Sequence, residues 1–277
     1  MKKFLVTCSL FSLLFLAGMY TRSFYLLYTG AYKQTVSGAD TYHSIEKSKQ
    51  KKKTRKLLIG DSVGHQLFEN TEYNDTINSF ACNQAIGLVG HYILLNNFLN
   101  AGNQVDTVYM LFRPSSFLNN LDEKYTFHYF LKPFNNEEYK SLFTKTVNDQ
   151  IHKIPFHFIC RDPNILTSNW APNFKIKDKK NYTFLSPISV EYLNRIKELS
   201  LKYGFELIIL PTPTSLRNKQ EILAIDKNEI VKSGLSNEFH NYFDQIIFLS
   251  DSSFMDGIHL NHPDVYTKYY KDNLISY

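Results

Sequence analysis

Short apolar runs alternate with helical spacings along most of the chain after residue 56. Apolar runs predict buried strands, the last of them weak, at Lys56–Ile59, Ile77–Ala81, Val108–Phe112, Phe205–Pro211 and Ile246–Leu249. Apolar residues at helical spacing predict helices at Gly87–Leu99 and Ser189–Tyr203, and a polar and aromatic helix is predicted near Pro263–Leu274. This alternation predicts an α/β protein with three layers, α/β/α, around a mostly parallel central sheet.

A long interval, Ser115–Leu185, separates the third and fourth strands and shows only weak periodicity. Structureless loops of that length are uncommon, so we interpret the interval as an insertion or a cap over the site. Its many aromatic residues, such as Tyr125 and Tyr129, either stack on sugar rings or pack a core. Lys124 and Lys132 in the same region would suit an anionic glycan.

The N-terminal segment is the most apolar part of the sequence. Phe4–Thr21 carries no charged side chain and follows Lys2 and Lys3, which favours a membrane span with its N-terminal side in the cytoplasm. Residues 1–32 are therefore predicted to form a signal anchor, with the remainder exported to the periplasmic or extracellular face. A cleaved signal peptide is the alternative, because Ala17–Gly18 offers small residues to a signal peptidase. The absence of an A-x-A pattern favours the uncleaved anchor.

The following segment, residues 33–55, is polar and becomes strongly basic at its end. We interpret it as a solvated linker that precedes a domain spanning residues 56–277. The chain has a formal net charge of +5, and the basic residues of 47–56 account for more than all of it. The body of the protein is therefore not expected to bind nucleic acid.

Polar residues follow the predicted strands at their carboxyl ends. They are Ser62, Asn83, Gly87, Arg113, Asp256 and His259. Functional groups collect at this edge of parallel sheets, so these residues are expected to lie close together. A serine nucleophile needs a base, and the base needs an acceptor that orients it, roles that His259 and Asp256 can supply.

Three motifs together resemble the SGNH/GDSL hydrolase family. They are Gly60-Asp61-Ser62, Asn83-Gln84-Ala85-Ile86-Gly87 and Asp256-Gly257-Ile258-His259-Leu260. The resemblance covers residues 56–277 except the long interval, and it implies a flavodoxin-like three-layer fold. It also implies that Ser62 is the nucleophile, His259 the base and Asp256 its partner, with the N–H groups of Ser62 and Gly87 forming an oxyanion hole. Exported bacterial members of this family add or remove acyl groups on envelope polysaccharides.

The sequence departs from that family directly after the third strand. A Gly-x-Asn-Asp stretch is usual there, whereas this chain has Arg113-Pro114-Ser115-Ser116. Either Arg113, Asn119 or Asn120 replaces the missing donor, or the hole has two N–H groups, or activity is lost. Arg113 is a candidate for oxyanion or substrate contact as well as for a structural ion pair, and Asn83 for substrate contact or for shaping the turn.

Two classes of function are consistent with these residues. The first is a serine esterase or O-acyltransferase that acts on ester-linked acyl groups, chiefly O-acetyl, of a cell-envelope or extracellular polysaccharide. The second is a non-catalytic binding or assembly protein of the cell envelope. Gly60–Gly64 also fits the G-x-S-x-G elbow of α/β-hydrolases, but only one strand precedes Ser62. The histidines lack metal-ligand spacing, so neither a metal nor a cofactor is expected.

Overall fold

The structure, a computed structural model, describes residues 1–68, 77–177, 180–273 and 275. The strands are β1 (Lys56–Gly60), β2 (Ile77–Ser79), β3 (Thr107–Phe112), β4 (Glu206–Pro211), β5 (Thr214–Ser215) and β6 (Phe248–Leu249). The longer helices are α1 (Lys2–Thr29), α3 (Ala39–Ser48), α4 (Ser62–Phe68), α5 (Gly87–Asn100), α7 (Lys145–Lys153), α9 (Pro187–Tyr203) and α12 (Pro263–Asn273). The short helices are α2 (Tyr32–Thr35), α6 (Lys132–Phe134), α8 (Pro163–Leu166), α10 (Lys219–Leu223) and α11 (Asn228–Lys232). Leu274, the predicted end of the last helix, lies outside the described residues.

The central sheet has the order β2-β1-β3-β4, and all of its strands are parallel. Lys56 of β1 pairs with Ile77 on one side and with Thr107 on the other. The weak strand predicted at Ile246–Leu249 is shorter than expected, and it pairs with β5 in a separate two-stranded sheet. The parallel central sheet confirms the predicted α/β fold class.

Helices cover both faces of this sheet. Alternate residues of β3 point to opposite sides, so that Val108 and Met110 join one core while Tyr109 and Leu111 join the other. The first core also holds the buried sides of α5 and α9, and the second holds those of α4 and α12. The layers are therefore α/β/α. Both faces of β1 and β3 are apolar because both are covered.

The long interval after β3 is built from short helical turns and packs mainly as core. Phe117, Phe127 and Phe130 are fully buried in the cluster that contains α5 and α9, which supports the core interpretation of these aromatic residues. Tyr125 is an exception, with about half of its surface exposed. Among the described residues of the interval, those near its two ends, Ser115, Leu118 and Thr183, are the ones that line the cavity beside the candidate site described below.

The prediction of a solvated linker is wrong for Ala39–Ser48. This segment is α3, and one of its faces packs against α5. Ile45 belongs to the main core, and the Ser48 hydroxyl accepts a hydrogen bond from Asn97 Nδ2 at 3.1 Å. Half of the buried residues of α3, namely Thr41, Ser44 and Ser48, are small and polar. Because half of these positions are small and polar, the buried face of α3 does not appear as an apolar stripe in the sequence.

Helix α1 is long and apolar enough to cross a membrane, and its first five turns are exposed. Its last two turns contact the domain. Leu26 and Leu27 pack against a small cluster formed by Tyr32, Val36, Tyr42 and Leu166. Contact with the body of the protein therefore begins before the helix ends.

Candidate active site

Asp61 fixes the position of Ser62 at the end of β1. The Asp61 carboxylate is fully buried, and its Oδ1 accepts the backbone N–H groups of Val63 and Gly64, at 3.0 and 3.2 Å. Its Oδ2 accepts the N–H of Arg113 at 2.7 Å and the hydroxyl of Ser116 at 2.6 Å. The carboxylate therefore caps α4 and also joins it to the end of β3. Ser62 is the first residue of α4 and is held by both connections.

The structure brings Ser62, His259 and Asp256 together in one chain of hydrogen bonds. His259 Nδ1 lies 2.7 Å from Asp256 Oδ2, and His259 Nε2 lies 3.1 Å from Ser62 Oγ. An ionised carboxylate only accepts hydrogen bonds, so Nδ1 carries the proton of a neutral ring. Nε2 is then the acceptor for the Ser62 hydroxyl, which is the arrangement that general-base catalysis requires.

Asp256 is held ionised by the loop that it belongs to. The backbone N–H of His259 donates to Asp256 Oδ1 at 2.8 Å, and that of Ile258 donates to the same atom at 2.9 Å. The backbone N–H of His259, together with its side chain and the N–H of Ile258, keeps the pKa of this carboxyl well below its usual range. A carboxylate with that pKa stays charged wherever the imidazole could act as a base.

Gln66 clamps the loop that carries His259. Its Nε2 donates to the carbonyl of Leu260 at 2.8 Å, and its Oε1 accepts the N–H of Leu260 at 2.8 Å. Gln66 lies on α4, one turn after Ser62, so it joins the nucleophile's helix to the residue that follows the base. The sequence analysis did not single out Gln66, because a glutamine on a helix has no motif to mark it.

Asn83 and Gly87 flank the turn after β2. Asn83 Oδ1 accepts the N–H of Ala85 at 2.9 Å, so this side chain caps the turn Gln84–Ile86. The N–H of Gly87, expected to face an oxyanion, donates instead to the carbonyl of Gln84. Use of this N–H in an oxyanion hole therefore requires that the bond to Gln84 is given up, and the role of Gly87 stays a prediction.

Arg113 occupies the place where the resemblance leads one to expect an asparagine. Its guanidinium is largely buried, donates to Gln84 Oε1 at 3.0 Å, and lies 4.0 Å from Asp61 Oδ2 through Nε. Nε itself has no hydrogen-bond partner in the described structure. Asn119, another candidate for the missing donor, is engaged elsewhere, since its Nδ2 donates to the Gln84 carbonyl at 2.6 Å. Arg113 therefore supplies the buried cation at this edge of the sheet.

A cavity of about 250 Å³ adjoins this edge. Arg113, Arg217, Gly257 and Ile258 are among its lining residues, and the last two belong to the Asp256–His259 loop. Gly257 has φ +81°, and a Cβ atom there would collide with the guanidinium of Arg217. Arg217 therefore packs directly on the loop, and the sequence analysis did not identify it because it stands six residues beyond the end of the nearest predicted strand.

A second cleft lies beside α4, between that helix and the segment expected to be a linker. Asp40, His43 and His65 are among its lining residues. Burial raises the pKa of Asp40, while hydrogen bonding and the nearby His65 lower it in part. Asp40 is thus a titratable group near the candidate site. The sequence analysis did not identify it, because its segment was predicted to be a solvated linker.

Comparison with known proteins places no family name on the chain. No family model and no curated protein matches it. A solved structure from Streptococcus pneumonia, provisionally described as a platelet activating factor, is similar over 91% of this chain and 99% of its own. The sequence identity is 15% and the TM-score is 0.37, values that do not bear on activity.

Proposed function

We propose that the protein is an SGNH-type serine esterase or O-acyltransferase. Its substrate would be an ester-linked acyl group, chiefly O-acetyl, of a cell-envelope or extracellular polysaccharide. The hydrogen-bonded chain from Ser62 through His259 to Asp256 is the observation that carries the proposal. The three motifs that resemble the SGNH/GDSL family surround the same residues and support it.

In the proposed reaction Ser62 Oγ attacks the ester carbonyl as His259 Nε2 takes its proton. Asp256 stabilises the imidazolium, and the tetrahedral intermediate collapses when His259 protonates the departing sugar oxygen. The acyl group then stays on Ser62 as an ester. Water attacks that ester in a hydrolase and a second sugar hydroxyl does so in a transferase, with His259 as the base again.

The charge on the intermediate needs donors near Ser62. Asp61 takes the N–H groups of Val63 and Gly64, so in our proposal the N–H of Ser62 faces the oxyanion. One such donor is worth about 3 kcal/mol in acyl transfer. Arg113 supplies a fixed positive charge at the same edge, and we assign it to the oxyanion or to an acidic group of the substrate.

Helix α1 supports the proposed location. We propose that it remains as a signal anchor, with Lys2 and Lys3 on the cytoplasmic side and the catalytic domain on the exported side. Its length and hydropathy suit a membrane span. Envelope polysaccharides are found on that exported side.

Hydrolysis of p-nitrophenyl acetate by the full chain in detergent tests the chemistry. We expect p-nitrophenol release and an acyl adduct on Ser62 by mass spectrometry, both lost in Ser62→Ala and in His259→Ala. Ser141→Ala and His240→Ala remove exposed residues of the same types and serve as controls. Equal activity in Ser62→Ala and wild type would refute the serine mechanism.

The replacement of the expected asparagine by Arg113 favours a second candidate, a non-catalytic binding or assembly protein with the same fold. A folded wild-type chain that releases no p-nitrophenol and forms no adduct on Ser62, also with acetylated polysaccharide as donor, would support this candidate. Ser62→Ala would then leave polysaccharide binding unchanged.

A further inference from the structure

Three exposed aromatic side chains form one patch on the domain surface. Phe156, Phe158 and Trp170, hereafter the aromatic patch, are 51%, 74% and 41% exposed. The ring of Phe156 lies 5.9 Å from that of Trp170 and 6.5 Å from that of Phe158. Single exposed apolar residues are ordinary, but a contiguous aromatic cluster on a surface marks a place of contact.

The surrounding structure holds this patch in place. Phe156 has φ +58°, a left-handed conformation that is unfavourable for a bulky residue. The buried Lys132 donates through Nζ to the carbonyls of Ser168 and Trp170, at 2.7 and 2.9 Å. The Trp170 ring also packs edge-on against the buried Phe127. Two separate segments are thus fixed so that their aromatic rings meet at the surface.

The patch flanks the place where α1 joins the domain. Ser23 Oγ donates to Asn164 Oδ1 at 2.7 Å, and Thr167 Oγ1 donates to Ser23 Oγ at 3.2 Å. Tyr20 donates to Asp162 Oδ2 at 3.2 Å. The segment 162–167 therefore lies against the end of the apolar stretch. Phe156 and Phe158 precede this segment and Trp170 follows it.

Helix length sets the level of the bilayer surface. The hydrocarbon core of a bilayer takes about 20 helical residues, which from Phe4 ends near Ser23. This is where contact with segment 162–167 begins. Tyr20 and Arg22 are residue types that favour the lipid–water boundary. An anchored α1 thus places segment 162–167 at the boundary, and Phe158 and Trp170 of the aromatic patch lie within four positions of that segment along the chain.

We propose that the aromatic patch inserts into the interfacial layer of the bilayer that α1 spans. Aromatic side chains favour this layer, which accepts apolar ring faces and polar ring edges together. The inference rests on the anchoring part of the proposed function and is independent of the serine chemistry. The occupant is a lipid surface, because the patch adjoins a membrane-length helix.

Trp170 is the only tryptophan of the chain, so its fluorescence reports on the patch alone. The full chain is reconstituted into phosphatidylcholine–phosphatidylglycerol vesicles, with or without phosphatidylcholine brominated near the headgroup end of its acyl chains. We expect the brominated lipid to remove about half of the Trp170 emission, because the ring lies in the interface. Aqueous iodide is expected to quench it only weakly.

Matched variants isolate the patch. In Trp170→Phe/Leu201→Trp the reporter moves to an exposed position on α9, outside the patch, and should respond to iodide rather than to brominated lipid. Phe158→Asp changes a side chain that is 74% exposed, so folding is preserved, and quenching by brominated lipid should fall to the level of that control.

Two results would overturn the inference, and flotation distinguishes them. If the chain floats with the vesicles after a carbonate wash but Trp170 behaves like the Leu201→Trp reporter, the patch does not enter the bilayer. If the chain does not float, the proposed anchor is wrong and the inference falls with it. Hydrolysis of p-nitrophenyl acetate by the same samples reports separately on the serine chemistry.

Discussion

Gln66 and Leu260 are joined by two hydrogen bonds that run in opposite directions between the same two residues. Leu260 directly follows His259, and Gln66 lies on the helix that begins at Ser62. The clamp therefore fixes the distance between nucleophile and base, although Gln66 itself touches neither reacting atom in our proposal. This makes Gln66 a positioning residue.

We expect Gln66→Ala to lower kcat for p-nitrophenyl acetate about 10- to 100-fold with a smaller change in KM, since misplacing His259 weakens proton transfer. Gln66→Glu keeps an acceptor for the Leu260 N–H but loses the donor to its carbonyl, so an intermediate kcat is expected. The exposed Gln104→Ala is the control. Equal losses of kcat in the Ala and Glu variants would argue against positioning by paired bonds.

Replacing Asp256 by asparagine should lower kcat by about 10³- to 10⁴-fold. Asparagine has no charge to stabilise the imidazolium, and its amide can hold His259 with the proton on the wrong nitrogen. Because Asp256 is exposed and its loop is tied by Gln66, the thermal unfolding midpoint should change little. A variant that retains most of its kcat would remove Asp256 from the mechanism.

Arg113→Lys and Arg113→Met separate a role of this residue in the reaction from a purely structural ion pair with Asp61. If Arg113 stabilises the reaction, kcat should fall about 100-fold in the methionine variant and less in the lysine variant, which keeps the charge. The methionine variant should also be destabilised by about 3 kcal/mol, because the buried Asp61 loses its cation. Unchanged kcat with lowered stability would identify a structural ion pair, measured by steady-state kinetics and by urea unfolding.

Because His91 is buried, we expect the protein to lose stability in acid. It is fully buried without a hydrogen-bond partner among the described residues, and burial lowers its pKa from 6.5 to about 3. The unfolded chain binds a proton there below pH 6.5 and the folded chain does not, so this contribution is complete above pH 6.5 and is lost as the pH falls toward 3. The free energy of unfolding should decrease by about 1.4 kcal/mol per pH unit across that window.

His91→Phe should flatten this slope, because phenylalanine does not titrate and can pack against Phe112 as the imidazole does. Urea unfolding at a series of pH values measures the effect, and the exposed His240→Gln is the control. An unaltered slope in His91→Phe would mean that other groups cause the acid sensitivity.

The strands of the central sheet could be predicted because both faces of each are covered. Leu57 to Ile59 and Val108 to Phe112 are therefore short continuous apolar runs, and polar residues or glycine bound them on both sides. Ser62 and Arg113 follow the carboxyl ends of β1 and β3, and Asp256 lies beside His259, as the pattern predicted, while the roles of these residues stay predictions. Ser62 and His259 lie close together, as a shared sheet edge led us to expect, although the strand before His259, β6, pairs with β5 outside the central sheet.

Other features left no trace in the sequence pattern. Helix α3 buries Thr41, Ser44 and Ser48, which look like solvent-facing residues until a partner helix supplies their contacts. The bond from the Gly87 N–H to Gln84 depends on how tightly one turn closes. The spacing of residues along the sequence does not show whether this N–H is free or bonded.

The packing of α2 and α3 fixes how far the domain stands from the proposed membrane anchor. A flexible linker of about 20 residues has a root-mean-square end-to-end distance of roughly 25 Å, so it would let a domain move freely relative to its anchor. Here Tyr32 and Tyr42 pack with the end of α1, and Ile45 is embedded in the domain core, so no slack remains between anchor and body. For a chain anchored through α1, Ser62 stands at a single height above the bilayer. Under our proposal, the polysaccharide substrates are then limited to segments that reach this height.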